Sequence, residues 1–423
     1  MVLQELLNEY MKSKHPDMIP ERIQFNTLID AWAKSGEKES AQRAEALLET
    51  MNTLARQTGN QNLLPDVFSF TSVLNAWAKS NDPAASTRAE AILHQMHELE
   101  KTGATDLKPT NVSYNAYLDC LAKARSIISA EKAEGILMRM ISQYNAGNEL
   151  IKPDIISFNT VINAFAKSGV LNSAPKAEAV FDRMKALGVQ PEATTFNSLI
   201  SGWTNSRDPR AANKAAMYLK DMTRLYEEGH ESCKPNATSF NAVVNAWSRS
   251  KDSMAVDRAQ ELLEEMKQWE TKGHTDCKPD VITYTSLLNV VARSKEKDKA
   301  VVSWNILCEM EKRFIKPDER VFGSVMMACA FSKTFDRPTR QVAFDIALQT
   351  FRRAYFETKP SAETFSFFFQ AAAGLGHDKE VALVYRFCCQ AGFENNALVQ
   401  RDVKNAAPHL VRKHFTDKLS VYR

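Results

Sequence analysis

The chain of 423 residues balances 54 Lys and Arg against 51 Asp and Glu, a formal net charge of +3, with 44% apolar and 25% charged residues. This composition excludes disordered and collagen-like classes and lacks the strongly basic balance that by itself declares a nucleic-acid partner, so the placement of the charges must decide. Seven cysteines without paired close spacings exclude a secreted disulfide framework. No matched pairs of Cys or His ligands call for a metal, and no apolar run reaches the length of a membrane span.

In chain order, residues 1–21 carry Glu5 and Glu9 in a helical pattern and lack the Arg-rich, acid-poor character of an organelle transit peptide. They read as the second helix of an incomplete repeat. From there an aromatic ladder recurs every 38 to 45 residues at Phe25, Phe70, Tyr114, Phe158, Phe196, Phe240, Tyr284, Phe322 and Phe365. The rungs open similar segments, such as FNTLIDAWAKS, FTSVLNAWAKS and YTSLLNVVARS, with weaker copies after Phe322 and Phe365.

A proline and a short polar residue precede most rungs, from Pro65-Asp66 to Pro360-Ser361, with Pro191-Glu192 departing. Proline stops one helix and the polar residue caps the next. A second helical stretch follows, RAEALLETM in the first unit and RAQELLEEM in the sixth, so each unit is a helix hairpin. Met51, Met96, Met140, Met184, Met222 and Met266 recur at one place in these second helices, where methionine serves as core filler. The units are expected at 22–66, 67–110, 111–154, 155–192, 193–236, 237–280, 281–318, 319–361 and 362–396, with a C-terminal cap over 397–423. Hairpins of this kind bury their apolar faces only by stacking, which makes the fold an all-α superhelical solenoid.

Within each first helix, the fourth, seventh, eighth and eleventh residues fall on one apolar side, and the second, fifth, ninth and thirteenth on the nearly opposite side. The second is usually apolar, at Ile23, Phe68, Val112, Ile156 and Ile282, with Thr194 and Thr238 in two units. The fifth is Asn or Thr: Asn26, Thr71, Asn115, Asn159, Asn197, Asn241 and Thr285. An exposed Asn inside a helix is unfavourable and needs a reason, and its amide offers donor and acceptor to a base edge. The thirteenth is a cation in the first seven units, Lys34, Lys79, Lys123, Lys167, Arg249 or Arg293, absent among these only from the fifth. Such a stripe suits the phosphates of a polyanion, although a cation near a helix end also complements the helix dipole.

These features, the aromatic-Asn opening, the late Lys of the first helix, the small-Glu start of the second and the closing Lys-Pro-Asp, resemble the pentatricopeptide repeat family over Arg22 to Asn396. The resemblance implies a right-handed superhelical α-solenoid of helix-turn-helix repeats that binds single-stranded RNA, about one base per repeat. It implies that the fifth and last residues of a repeat select the base and that the second wedges between bases. The pairs are Asn26 with Asp66, Thr71 with Thr110, Asn115 with Asp154, Asn159 with Glu192, Asn197 with Asn236, Asn241 with Asp280, and Thr285 with Asp318. By resemblance Asn with Asp prefers U, Asn with Asn prefers C and Thr with Asp prefers G, so the first, third and sixth repeats take U, the fifth C and the seventh G. Capping alone would also select the residues in the last position.

Two departures stand out. Arg320 and Gly323, then Glu363 and Ser366, are poor fits to a wedge and a base reader, so the eighth and ninth units are expected to cap. Most units exceed the family's 35 residues, and the added residues are expected in the turn before the second helix and in tails such as HELEKTGATDLKPT. An enzyme is not expected: 27 residues follow Asn396, and an H-x-E with a downstream C-x-x-C, as a zinc deaminase requires, is lacking. No cofactor is implied. The alternative is a protein-interaction solenoid or a structural component of a ribonucleoprotein particle, favoured if acids such as Asp30 and Asp119 interrupt the positive face. The resemblance implies a mitochondrial or plastid home and partners in an RNA-processing or ribosomal complex.

Overall fold

The computed structural model describes residues 20–101, 107–170 and 172–408. The expectation of a second helix before residue 20 and the end of the expected C-terminal cap lie outside these residues. The described residues are all-α: 19 α-helices and five short 3-10 turns, with no strand among them. The chain forms two compact halves, Met1–Ser206 and Arg207–Arg423.

The first half contains α1 (Arg22–Ser35), α2 (Ser40–Thr58), α3 (Val67–Lys79), α4 (Ala85–Lys101), α5 (Asn111–Lys123), α6 (Ile127–Asn145), α7 (Ile155–Ser168), α8 (Ser173–Ala186) and α9 (Ala193–Asn205). The second contains α10 (Ala211–Glu227), α11 (Ala237–Arg249), α12 (Ala255–Thr271), α13 (Val281–Arg293), α14 (Lys299–Lys312), α15 (Glu319–Ala330), α16 (Arg337–Glu357), α17 (Ala362–Ala372), α18 (Asp378–Gln390) and α19 (Ala397–Ala406).

Cap chemistry sets where the first helices begin. Asp66, Asp154, Asn236, Asp280 and Asp318 accept the backbone N–H three residues on, at 2.8 to 3.1 Å. In four of these caps, and at Thr110 and Glu192, the Ser or Thr at that third position answers the capping residue's own N–H, closing a capping box with a hydroxyl in place of the usual Glu.

In the first half α1, α3, α5, α7 and α9 lie side by side in sequence, and each second helix packs on its own first helix and on the next one. The second half repeats the pattern with α11, α13, α15, α17 and α19. The ladder aromatics and the six recurring methionines are all buried between the two layers, as their spacing predicts. That burial drives the stacking, at roughly 1.5 to 3 kcal/mol per large apolar side chain.

The added length does not fall in the turns. Seven turns between first and second helices run from three to five residues regardless of unit length. Instead the second helices of the longer units gain up to a turn or more, as in α2, α6 and α12, against 14 residues in α8 and α14 of the 38-residue units. A 3-10 turn then follows, and Leu63, Ile151, Cys233 or Cys277 plugs the core from it. Cys233 and Cys277 are therefore core residues in equivalent places. Burial pushes the Cys277 thiol up to about 11.

Candidate nucleic-acid interface

The structure turns the second residues of the first helices outward. Ile23, Phe68, Val112, Ile156 and Ile282 are between 52 and 71% exposed, and Thr194 and Thr238 are exposed as well. Single exposed apolar side chains are ordinary on a protein surface. Four of them, Ile23, Phe68, Val112 and Ile156, form a periodic apolar column in the first half, and Ile282 takes the same register in the second. The thirteenth residues, Lys34, Lys79, Lys123, Lys167, Arg249 and Arg293, are likewise exposed on these helices.

The fifth residues are placed differently from the sequence expectation. Asn115 and Asn241 are buried, and Asn26, Thr71, Asn159, Asn197 and Thr285 are half-buried. Their polarity has an internal reason: Asn26 Nδ2 donates to Asp66 Oδ1 at 3.2 Å, Asn115 Nδ2 to Asp154 Oδ1 at 3.0 Å, Asn159 Nδ2 to Glu192 Oε1 at 3.2 Å, and Asn241 Nδ2 to Asp280 Oδ1 at 3.1 Å. The fifth and last residues of these four units are thus brought into direct contact. An ionised carboxylate can only accept, which fixes the amide with its nitrogen toward the acid.

The other end of the amide is also held. Ser69 Oγ donates to Asn26 Oδ1 at 2.5 Å, Ser157 Oγ to Asn115 Oδ1 at 2.6 Å, and Thr195 Oγ1 to Asn159 Oδ1 at 2.7 Å. These hydroxyls are the third residues of the next first helix, which close the capping boxes, and sequence reasoning missed them. The available signal was a Ser or Thr three residues after nearly every cap.

Other pairs are not joined in this way. Thr285 Oγ1 donates to the Val281 carbonyl at 2.7 Å rather than to Asp318. Thr71 Oγ1 and Ser113 Oγ lie 2.8 Å apart, and Thr110 Oγ1 is 3.5 Å from the same Ser113 hydroxyl. Asn197 and Asn236 belong to different halves. In the ninth unit Ser366 is buried and donates to Asp402 of α19, with Gln370 donating to the same carboxylate at 2.9 Å. Ser366 is therefore closed off from any ligand by the helix stacked upon it.

Two acids lie beside the cation stripe. Asp30 pairs with Lys34 at 2.6 Å and Asp119 with Lys123 at 3.0 Å, one helical turn apart in each case. They neutralise those two positions locally. Lys79 and Lys167 have no ion-pair partner among the described residues. Beyond the helix ends the face opens into a cleft of about 680 Å3 lined by Trp77, Asp82, Lys123, Arg125, Asn163 and Lys167. The second half has an equivalent cleft of about 540 Å3 with Trp247, Asp252, Arg293 and Lys295 in the corresponding places.

On the opposite layer the RAE and KAE starts of the second helices bracket neighbouring hairpins, a role the sequence reading did not foresee. Arg88 binds Glu45 at 2.5 Å, Lys132 binds Glu90 at 2.6 Å, Lys176 binds Glu131 at 2.5 Å and Arg183 binds Glu134 at 2.5 Å. Trp77 Nε1 also donates to Glu45 at 2.8 Å. This layer is spanned by ion pairs, whereas the first-helix face carries amides, apolar side chains and cations.

Among the described residues no group of three or more His, Cys, Asp or Glu could hold a metal ion, and no helix is long and apolar enough to cross a membrane. Burial pushes the Cys120 and Cys388 thiols up to about 12.

Stacked helix hairpins with caps, amides and cations at fixed registers define a helical-repeat protein. Residues 153–205 match the PPR repeat family and residues 261–330 the pentatricopeptide repeat domain, one match in each half. Each half therefore carries repeats that match the pentatricopeptide repeat family. The crystal structure of the pentatricopeptide repeat protein PPR10 from maize aligns over 96% of this chain and 64% of its own, at 17% identity and a TM-score of 0.39. PPR10 in complex with an 18-nt psaJ RNA element aligns over 100% and 64%, at 19% identity and a TM-score of 0.37. The chain spans 64% of the length of those structures. No curated protein matches it in sequence.

Proposed function

We propose that the protein binds single-stranded RNA along the first-helix face, without catalysing a reaction on it, and acts in organellar RNA metabolism in mitochondria or plastids. The observation that carries this reading is the contact between fifth and last residues in four units, Asn26 with Asp66, Asn115 with Asp154, Asn159 with Glu192 and Asn241 with Asp280. Asn26 and Asn115 each keep a second N–H and a second lone pair, enough to meet one base edge, whereas Asn159 spends its second N–H on Thr194 Oγ1 at 3.1 Å. The exposed residues Ile23, Phe68, Val112, Ile156, Thr194, Thr238 and Ile282 sit where they would separate successive bases. Lys123, Lys167 and Arg293 line the clefts where phosphates would run. Repeats one to seven, bounded as 22–66 through 281–318, each take one nucleotide on this reading, and the eighth and ninth units cap the array. The family matches and the RNA-bound relative PPR10 support RNA as the class of ligand.

The test is the salt dependence of affinity for a single-stranded RNA with U, U, C, U and G at the positions of repeats one, three, five, six and seven. Lys34 and Lys123 exchange a carboxylate for a phosphate and release little counterion, which leaves about four full contacts. The slope of log K against log salt should then be about −3, from roughly −0.7 per phosphate. A slope near zero, or equal affinity for duplex RNA, contradicts the proposal. A protein-interaction solenoid within a ribonucleoprotein particle would give that result, and the paired acids Asp30 and Asp119 are the observation in its favour.

A further inference from the structure

Where the second helices end, the residue just past the helix adopts a left-handed backbone in seven hairpins. Six of them place glycine there, Gly59, Gly147, Gly188, Gly229, Gly273 and Gly392, with φ between 67 and 100°. Glycine is the residue that takes this conformation without strain. After α14 the position is Phe314, at φ 58° and 97% exposed. A bulky side chain in the left-handed region is strained, and an aromatic ring wholly in water loses burial, so the site combines two unfavourable choices. Neither serves the fold.

A second exposed ring lies at the corresponding end of the next second helix. Glu311 of α14 and Arg353 of α16 are joined by a two-pronged ion pair, one prong at 3.2 Å, and α14 packs directly on α16. Phe314 and Phe356 each lie three residues beyond a member of that pair, which puts both at one rim of the second half. Phe356 is 84% exposed, with Tyr355 edge-on to it at 5.6 Å. Around the rings, Lys312, Lys316, Arg352 and Lys359 are exposed and have no ion-pair partner among the described residues. The nearby acids are engaged, Glu311 and Glu357 both by Arg353.

We propose that this rim, Phe314 and Phe356 ringed by Lys312, Lys316, Arg352 and Lys359, is a docking surface for a protein segment that carries carboxylates beside aliphatic or aromatic side chains. The rings supply burial and the unpaired cations supply charge complementarity. The geometry favours discrete carboxylates over a phosphate chain, because Glu311 and Glu357 stand within the patch and would face a continuous polyanion. The surface lies on the layer of second helices, so docking there leaves the first-helix face free, and the two functions are separable.

A library of short displayed peptides selected on the full chain tests this, with counter-selection on the Phe314→Gly/Phe356→Ser variant. Phe314→Gly installs the residue that the other hairpins use, so the variant should melt at the same temperature as wild type or higher. Peptides enriched on wild type should pair Asp or Glu with Leu, Phe or Trp. Their affinity should fall by about 30-fold in the variant, the loss expected of anchor residues, and fall also on charge reversal at Lys312, Lys316, Arg352 and Lys359. Poly(U) affinity should be unchanged, which separates this surface from the RNA-binding face. No enrichment, equal recovery on both proteins, or enriched peptides without acids would overturn the proposal. So would poly(U) or phosphatidylserine vesicles that bind wild type and not the variant.

Discussion

At Asn26, Asn115 and Asn159 a single residue serves the fold and, on the proposed reading, a ligand as well. One amide N–H is spent on the acid that caps the next helix, and the amide oxygen accepts from the hydroxyl that closes the same capping box. The side chain is locked before any base arrives, which reduces the ordering cost of binding. Thr285 lacks this bracing, since its hydroxyl turns back to the Val281 carbonyl. Thr285→Asn should reproduce the Asn241–Asp280 contact with Asp318 and leave Tyr284, Leu287 and Leu288 in the core. The base preferred opposite this repeat should shift from G to U. Relative affinities for two RNAs differing only there should change by roughly 1 to 3 kcal/mol, by analogy with direct readout in DNA. An unchanged ranking would remove the pair from base selection.

At the scale of the helix hairpin, two separate layers of polar contact hold neighbours together. The inner one is the amide and capping-box network. The outer one is the row of ion pairs from the RAE and KAE motifs. Most of these outer pairs are half in water and contribute little each. Glu45 differs, because it is buried and accepts both Arg88 and the indole N–H of Trp77. Glu45→Gln removes the charge facing Arg88 and can leave the Trp77 donor poorly matched in the core. Unfolding by urea should show a loss of about 1 to 3 kcal/mol, whereas Glu90→Gln, on an exposed pair, should cost less than about 1 kcal/mol. Equal effects would mean that Trp77 plays no part in the bracket.

For the molecule as a whole, the hairpin pattern was legible because it rests on local chemistry: an aromatic every 38 to 45 residues, a proline, a cap, a methionine. The outward exposure of Ile23, Phe68, Val112, Ile156 and Ile282 was legible for the same reason, since helical angles alone place it. Three features were not. The burial of Asn115 and Asn241 depends on a neighbouring hairpin that supplies an acid to both and a hydroxyl to Asn115, which no single helix reveals. The added residues expected in the turns lengthen the second helices instead, because a longer second helix can keep packing on two first helices, whereas those expected in the tails were placed correctly. The closure of Ser366 by Asp402 depends on α19 stacking as one more first helix, a tertiary fact with no motif to announce it.

The central claim is that RNA lies along the first helices and not the second. Ultraviolet crosslinking of bound single-stranded RNA, followed by mass spectrometry of the crosslinked peptides, reads this directly. Crosslinks should concentrate on α1, α3, α5, α7, α9, α11 and α13, with Phe68 prominent as an exposed aromatic at the outward register. Crosslinks concentrated instead on the second helices, α2, α4, α6, α8, α12 or α14, would contradict the account.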